Sequence, residues 1–186
     1  MSDLTRLPGS LPAPLDDGSC AHLPGLEVPP LPLPATDGSQ VDLASLPGRT
    51  ALYIYPRTGR PDEALPTDWD LIPGARGCTP QSCAFRDHHA ELRGAGARVF
   101  GLSTQATAFQ QEAARRLHLP FPLLSDAQGR FTAALRLPTF EVDGQTLLRR
   151  VTLVLRDGAV EHVFFPVFPP DRNAADVLAW LVAHPA

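Results

Sequence analysis

The chain has 186 residues, of which 44% are hydrophobic and 19% are charged, which is enough for one globular domain with a full core. Its formal net charge of −4, without a basic block interleaved with aromatic residues, argues against binding to nucleic acid or to an anionic membrane. No apolar run approaches the ~20 residues of a membrane span, and the amino terminus has no basic segment leading into an apolar core, so we expect a cytoplasmic protein.

The first part of the chain predicts an arm, a hairpin and a buried strand. Residues 1–24 are rich in proline, glycine, aspartate and serine without periodicity, so we expect a flexible arm followed by a folded domain over 25–186. Asp37-Gly38 separates two short alternating runs, which predicts a hairpin. The prolines before it favour an extended edge segment over a polyproline ligand. The run TALYIYP, residues 50–56, predicts a buried central strand.

A long loop and two helices are predicted next. Residues 57–75 are proline-rich and aperiodic, which predicts a loop that covers something or has a function of its own, pinned by Trp69. The segment TPQSCAFRDHHAELRG, from Thr79, predicts a helix. ARVFGLS predicts a strand, and Ser103 or Thr104 is expected to cap the helix in QATAFQQEAARRLHL.

The second half predicts a sheet closed by hairpins. FPLLSD follows, and a short helix is expected around 131–135. The Asp-Gly turns at 143 and 157 join TFEV, LLRRVTLVL and VEHVFFPVF into an antiparallel set. A terminal amphipathic helix is predicted with an apolar face of Val177, Leu178, Leu181 and Val182. Helices between the early strands and hairpins between the late ones predict an α/β fold, with a mixed sheet flanked by helices.

The segment GARGCTPQSC contains two of the three cysteines, Cys78 and Cys83. Cys78 precedes the predicted helix, where unpaired N–H groups and the helix dipole stabilise a thiolate, and Gly77 allows close backbone approach. The alternative for Cys78 alone is a small buried apolar side chain. In a regular helix, residues five apart have Cα atoms ~8.7 Å apart, beyond the ~7 Å limit of a disulfide. A disulfide between these two cysteines would therefore require the first turn to unwind.

A zinc site is a further alternative for the same helix. Cys78 and Cys83, together with His88 and His89, would supply four ligands. However, C-x4-C is not a zinc-knuckle spacing, and adjacent histidines on a helix diverge by ~100°. The two histidines are therefore expected to be solvated or half-buried.

The sequence GCTPQSC followed by AFRDHHAEL resembles the active-site helix of peroxiredoxins of the Q type, also called bacterioferritin comigratory protein. PLLSDAQG and RRVTLVLRDG are similar to further family segments, and the resemblance covers about 25–183. It implies a thioredoxin-like fold and a thiol peroxidase that reduces hydrogen peroxide and organic hydroperoxides. By the same resemblance, Cys78 is the peroxidatic thiol, Cys83 is the resolving thiol, and Arg150 is the arginine beside thiolate and peroxide. Since adjacent strand residues point to opposite faces, only one of Arg149 and Arg150 can serve.

The resemblance also implies how the reaction is completed. An intramolecular disulfide between Cys78 and Cys83 would be reduced by thioredoxin or a similar dithiol protein. No organic cofactor and no metal is needed. A monomer or a weak homodimer is expected. The apolar segment VFFPVF could wall the pocket and favour organic peroxides, but a core or dimer contact is the preferred interpretation.

Two positions depart from the family pattern. Leu71 and Ala75 stand where the family has proline and threonine, seven and three residues before the peroxidatic cysteine. Either the long loop folds Pro56, Thr58 or Thr67 back to the site, or the site lacks a hydroxyl group that orients the peroxide. The missing threonine and the long insertion before Cys78 motivate an alternative function, a redox-responsive binding module that uses the same disulfide as a switch. The remaining cysteine, Cys20, is expected to be an incidental free thiol in the arm.

Overall fold

The computed structural model describes Leu4 and residues 6–185, which form nine strands and five α-helices. The strands are β1 (Pro32–Pro34), β2 (Gln40–Asp42), β3 (Arg49–Ile54), β4 (Ala97–Ser103), β5 (Leu123–Ser125), β6 (Thr139–Val142), β7 (Gln145–Leu148), β8 (Val151–Arg156) and β9 (Ala159–Phe164). The helices are α1 (Cys78–Asp87), α2 (His89–Gly94), α3 (Thr107–Arg116), α4 (Arg130–Leu135) and α5 (Asn173–Ala183). Of the helices in this part of the chain, none has the length and hydrophobicity of a membrane-spanning segment.

The centre of the fold is a five-stranded mixed sheet in the order β5-β4-β3-β8-β9. β3, β4 and β5 run parallel, whereas β8 is antiparallel to β3 and β9 is antiparallel to β8. Every residue of β3 is buried, because both faces of the sheet are covered. Leu52 and Ile54 pack into the core that includes α4, while Ala51 and Tyr53 pack into the core that includes α1, α2 and α5.

The sheet brings the ends of three elements to one edge. β8 begins opposite the end of β3, with Val151 paired to Ile54. Arg150, the residue before β8, therefore lies at the edge where β3 runs into the loop 57–75. α1 packs across this region against α5. This edge is where the predicted site residues meet.

Several sequence predictions are confirmed. The fold is α/β, with a mixed sheet flanked by helices. The predicted central strand is β3, and ARVFGLS is β4. β1 and β2 form the expected hairpin around Asp37-Gly38. The two later Asp-Gly turns also form, with positive φ angles of 47° at Asp143 and 49° at Asp157.

The prediction of one continuous strand over LLRRVTLVL is wrong, because the segment is divided at Arg149 and Arg150 into β7 and β8. β7 pairs only with β6 in a separate two-stranded sheet, whereas β8 belongs to the main sheet. The two arginines leave the strand in different directions. Arg149 forms an ion pair with Asp17 at 2.6 Å, and Arg150 enters the interior. The interruption coincides with the change of partner from β6 to β3 and β9.

The helix predictions need three smaller corrections. The helix predicted from Thr79 begins at Cys78 and is interrupted at His88, whose dihedral angles are −92° and 5°. α3 has Ala106 at its N-cap without a side-chain cap, and the Ser103 hydroxyl instead accepts a hydrogen bond from Gln110 at 3.0 Å. On α5, Val182 is 69% exposed and does not belong to the apolar face.

The prediction that the flexible arm extends to residue 24 is also wrong, because the last residues of this segment belong to the folded domain. Cys20 is 4% exposed and Leu23 is fully buried, and both belong to the core cluster on the α4 side of the sheet. The backbone N–H of Gly25 donates to the carbonyl oxygen of Val160 on β9, which fixes this segment to the sheet. The composition predicted an arm up to residue 24, but its few apolar side chains are enough to bind the segment to the domain.

Candidate active site

Cys78, the predicted reactive thiol of the candidate site, is the first residue of α1. It follows Gly77, whose φ of 108° lies in the left-handed region that favours glycine. A Cβ atom at this position would also collide with the ring of Pro170. Cys78 itself is only 4% exposed. Because the first N–H groups of a helix lack intrahelical acceptors and carry partial positive charge, this position favours a sulfur anion.

The guanidinium group of Arg150 lies against the sulfur of Cys78. Its Nη2 atom donates to Sγ at 3.2 Å and to the carbonyl oxygen of Ala75 at 3.0 Å. Its Nε atom donates to the carbonyl oxygen of Gly74 at 3.3 Å, so the backbone ahead of α1 holds the guanidinium plane. Arg150 is buried, and its acceptors among the described residues include no carboxylate. Since burying an unpaired cation is costly, the arrangement favours a thiolate at Cys78 as the counter-ion.

A chain of buried polar side chains holds Arg150 from its other side. Nη1 of Arg150 donates to Oε1 of Gln81. Nε2 of Gln81 donates to Oδ1 of Asn173 at 2.9 Å, and the same oxygen accepts from the Thr152 hydroxyl at 2.6 Å. Because arginine only donates hydrogen bonds, Gln81 must present its oxygen to Arg150 and its nitrogen to Asn173. Asn173 thus fixes the orientation of an amide that contacts Arg150.

Cys83 lies on the same helix as Cys78 and is partly exposed. α1 is continuous from residue 78 to residue 87, so the geometry of a regular helix separates the two Cα atoms by ~8.7 Å. Both cysteines are free thiols in this structure. Burial raises the pKa of Cys83, and the charge of Arg86 opposes that increase. The structure therefore places the two cysteines on one helix but does not bring them within disulfide distance.

The expected substitutes for a hydroxyl at position 75 do not reach the site. The Thr58 hydroxyl donates to Oε1 of Gln105 at 3.2 Å, and the N–H of Thr67 donates to Asp143 at 2.9 Å. Neither threonine, nor Pro56, lines the cleft at Cys78 in the part of the chain that the structure describes. Thr79 does line that cleft. Its position next to Cys78 is visible in the sequence, although the family resemblance points only to a hydroxyl before the cysteine.

The alternative zinc site is not assembled. Nδ1 of His88 lies 2.6 Å from a carboxylate oxygen of Glu91, and the ring of His89 packs against Phe121. Burial and the nearby Arg93 lower the pKa of His89. Within the described residues, no group of three or more potential metal ligands comes together.

The loop 57–75 covers the cleft at Cys78. Trp69 is 4% exposed and packs with Ala75, Val142 and Leu147, so it pins the loop against the β6–β7 hairpin. The cleft is narrow, with room for little more than a water-sized group next to the sulfur. Its lining comprises Leu4, Arg57, Gly59, Leu65, Trp69, Arg76, Gly77, Cys78 and Thr79.

Comparison with known proteins defines the class to which this fold and site belong. Residues 17–178 match the family described as Redoxin. The crystal structure of peroxidoxin BcpB from Mycobacterium tuberculosis superimposes with a TM-score of 0.72 at 29% sequence identity, over 89% of this chain and 100% of that chain. The central sheet with its flanking helices is therefore the thioredoxin-like fold of the peroxiredoxins, as the sequence predicted.

Sequence relatives narrow the assignment. Peroxiredoxin Bcp of Escherichia coli is 31% identical over 161 residues, which are 84% of this chain and 93% of that protein. The chloroplastic peroxiredoxin Q of Oryza sativa subsp. japonica is 32% identical over 156 residues, and the match spans only 64% of the rice protein. The chain belongs to the Redoxin family, in its peroxiredoxin Q and Bcp group.

Proposed function

We propose that this chain is a thiol peroxidase in which Cys78 is the residue that reacts with peroxide. The observation that carries the proposal is the buried guanidinium of Arg150, which lies 3.2 Å from Sγ of Cys78 at the amino end of α1. A helix terminus and an adjacent cation are the conditions under which a cysteine becomes a nucleophile. The peroxiredoxin names of the relatives support the same activity.

The first step is a two-electron transfer from sulfur to peroxide. The Cys78 thiolate attacks the terminal oxygen of a hydroperoxide, the S–O bond forms and the O–O bond breaks. The leaving oxygen takes up a proton and departs as water or an alcohol, and Cys78 becomes a sulfenic acid. Arg150 and the N–H groups at the start of α1 stabilise the negative charge that develops on the oxygens. Thr79 lines the same cleft, and its hydroxyl is the group that we propose to orient the peroxide.

Cys83 then resolves the sulfenic acid. Its sulfur attacks Sγ of Cys78, a disulfide forms, and the sulfenic oxygen leaves as water. Since both residues belong to α1, the first helical turn must unwind for this step. Two electrons from a dithiol protein, which we propose to be thioredoxin in the cytoplasm, return the disulfide to two thiols through a mixed disulfide.

Steady-state consumption of hydrogen peroxide tests the proposal. In the presence of thioredoxin, thioredoxin reductase and NADPH, the wild-type protein should oxidise NADPH continuously, and the Cys78→Ser variant should not. Oxidation of Cys78 without sustained NADPH consumption would favour the alternative, a redox-responsive binding module. The replacement of the family threonine by Ala75 and the 4% exposure of Cys78 are the observations on which that alternative rests.

A further inference from the structure

We propose that the segment ahead of the family domain selects substrates by size, admitting hydrogen peroxide and short alkyl hydroperoxides to Cys78 and excluding bulky ones. This segment, the amino-terminal strap, consists of Leu4 and residues 6–17. The inference rests on the proposed peroxidase function and names the substrate class of the same site. The Redoxin match begins at residue 17, so almost all of the strap lies outside the region shared with the family.

The strap lies directly on the segment that carries Cys78. A Cβ atom built on Gly77 would lie 2.9 Å from Cδ2 of Leu7, so Leu7 packs on the residue before Cys78. A Cβ atom on Gly74 would lie 3.5 Å from Cγ of Pro14. The strap therefore contacts both ends of the short backbone segment whose carbonyl groups hold Arg150.

The strap is fixed to the domain at its carboxyl end. Asp17 forms an ion pair with Arg149 at 2.6 Å, and Cys20, three residues later, is buried in the core. Arg149 also stacks over the ring of Phe165 at 4.9 Å, which restricts its position. These contacts hold the strap across the site.

The strap and the loop 57–75 together close the cleft at Cys78. Leu4 and Leu65 would each lie 3.2 Å from a Cβ atom built on Gly59, so the two leucines meet over this glycine. Leu4, Leu65 and Trp69 are the large apolar side chains that line the cleft. The sulfur is 4% exposed and has room for little more than a water-sized group beside it. A hydrogen peroxide or short alkyl hydroperoxide therefore needs only a small displacement of these side chains, whereas an aromatic or long alkyl substituent would have to displace Leu4, Leu65 or Trp69 altogether.

The double variant Leu4→Ala, Leu7→Ala tests the proposal. The control is Leu15→Ala, because Leu15 belongs to the same strap and is 80% exposed. For each protein, kcat/KM is measured with hydrogen peroxide and with cumene hydroperoxide. We expect the double variant to increase the ratio of the cumene value to the hydrogen peroxide value at least about tenfold, as removal of steric exclusion in an apolar pocket does. The ratio should be unchanged in the control.

A second measurement is independent of peroxidase activity. In a Cys20→Ser, Cys83→Ser background, Cys78 is alkylated with iodoacetamide and with a fluorescein maleimide. In the double variant, the ratio of the alkylation rate with the maleimide to the alkylation rate with iodoacetamide should increase about tenfold over the wild-type ratio. If both ratios equal those of the wild type, the inference is wrong. If the wild type consumes no peroxide at all, the proposed function fails, and the alkylation ratio alone decides whether the strap excludes bulky molecules.

Discussion

Arg150 donates a hydrogen bond from Nη2 to Sγ of Cys78 at 3.2 Å, although the two residues come from opposite parts of the chain. The guanidinium is held by backbone carbonyl groups and by Gln81, and its acceptors among the described residues include no carboxylate. Among the hydrogen-bond acceptors of Arg150 in the described residues, the sulfur of Cys78 is therefore the one that can carry a negative charge.

Arg150→Met should remove this compensation. Loss of one positioned donor from a charged reacting centre costs about 10²–10³-fold in rate. We expect a decrease of that size in the rate of Cys78 oxidation by hydrogen peroxide, measured by stopped flow. Arg130→Met, at an exposed position on α4, is the matched control. Equal rates in the two variants would exclude Arg150 from the reaction.

Asn173→Leu should release the amide of Gln81. Without the Asn173 oxygen, the Gln81 amide can turn its nitrogen towards Arg150, and the guanidinium loses a fixed acceptor. We expect the oxidation rate to fall about tenfold, with the free energy of unfolding reduced by about 1–3 kcal/mol through the unpaired buried groups. The rate is measured by stopped flow and the stability by urea unfolding.

Val177→Ala is the control for that variant, since Val177 is fully buried on the same helix and does not belong to the polar chain. Removing its methyl groups should cost a comparable ~1–3 kcal/mol while leaving the oxidation rate unchanged. If the rate fell equally in both variants, Asn173 would have only a structural role.

Cys83→Ser should stop the cycle after the first step. The sulfenic acid of Cys78 then has no resolving thiol on α1, so dimedone should label residue 78 stoichiometrically after one equivalent of peroxide. Peptide mass spectrometry after the same treatment of the wild type should detect a peptide pair linked through residues 78 and 83. Cys20→Ser should behave like the wild type, because Cys20 is buried on the other side of the sheet. A linkage that contains residue 20 would contradict this assignment.

The stability of the fold should depend on the ionisation of Cys20 in alkali. Burial raises the pKa of Cys20 from 9.0 to about 11, so the folded state keeps its proton where the unfolded state has lost it. The wild type should therefore lose stability as the pH rises from about 9 to about 11, relative to the Cys20→Ala variant, in which this ionisation is absent. The urea midpoint of both proteins is compared across this range. Parallel pH profiles would show that Cys20 makes no contribution.

The sequence predicted the elements whose pattern is local. TALYIYP and ARVFGLS contain β3 and β4. A short apolar run bounded by turn residues is typical of a buried strand, so this prediction needed only the local sequence. Pro80 predicted a helix that begins at Thr79, one residue after the Cys78 at which α1 begins. Arg150 was identified by family resemblance, and only the register of β8 against β3 explains why it reaches the sulfur.

Other features depend on contacts between distant residues and leave no local pattern. Asn173 is an ordinary helix residue in the sequence, and its role appears only when α5 packs against α1. The proline-rich amino-terminal segment predicted an arm because nothing in its composition reveals Gly77 and Gly74 as its packing partners. The division of LLRRVTLVL follows from strand pairing, because β7 pairs with β6 whereas β8 pairs with β3 and β9, and a local pattern does not specify the partner of each half.

Gly77 is enclosed by Leu7, which precedes it in the sequence, and by Pro170, which follows it. Arg150, which contacts the sulfur of Cys78, and Asn173, which orients Gln81, also follow Cys78 in the sequence. A polypeptide emerging from the ribosome has therefore made Cys78 long before it has made Arg150, Pro170 or Asn173. Since a domain gains its native contacts only when their partners exist, the nascent protein carries an ordinary thiol at this position. Reactivity towards peroxide is therefore acquired only after residue 173 has been synthesised and α5 has packed against α1.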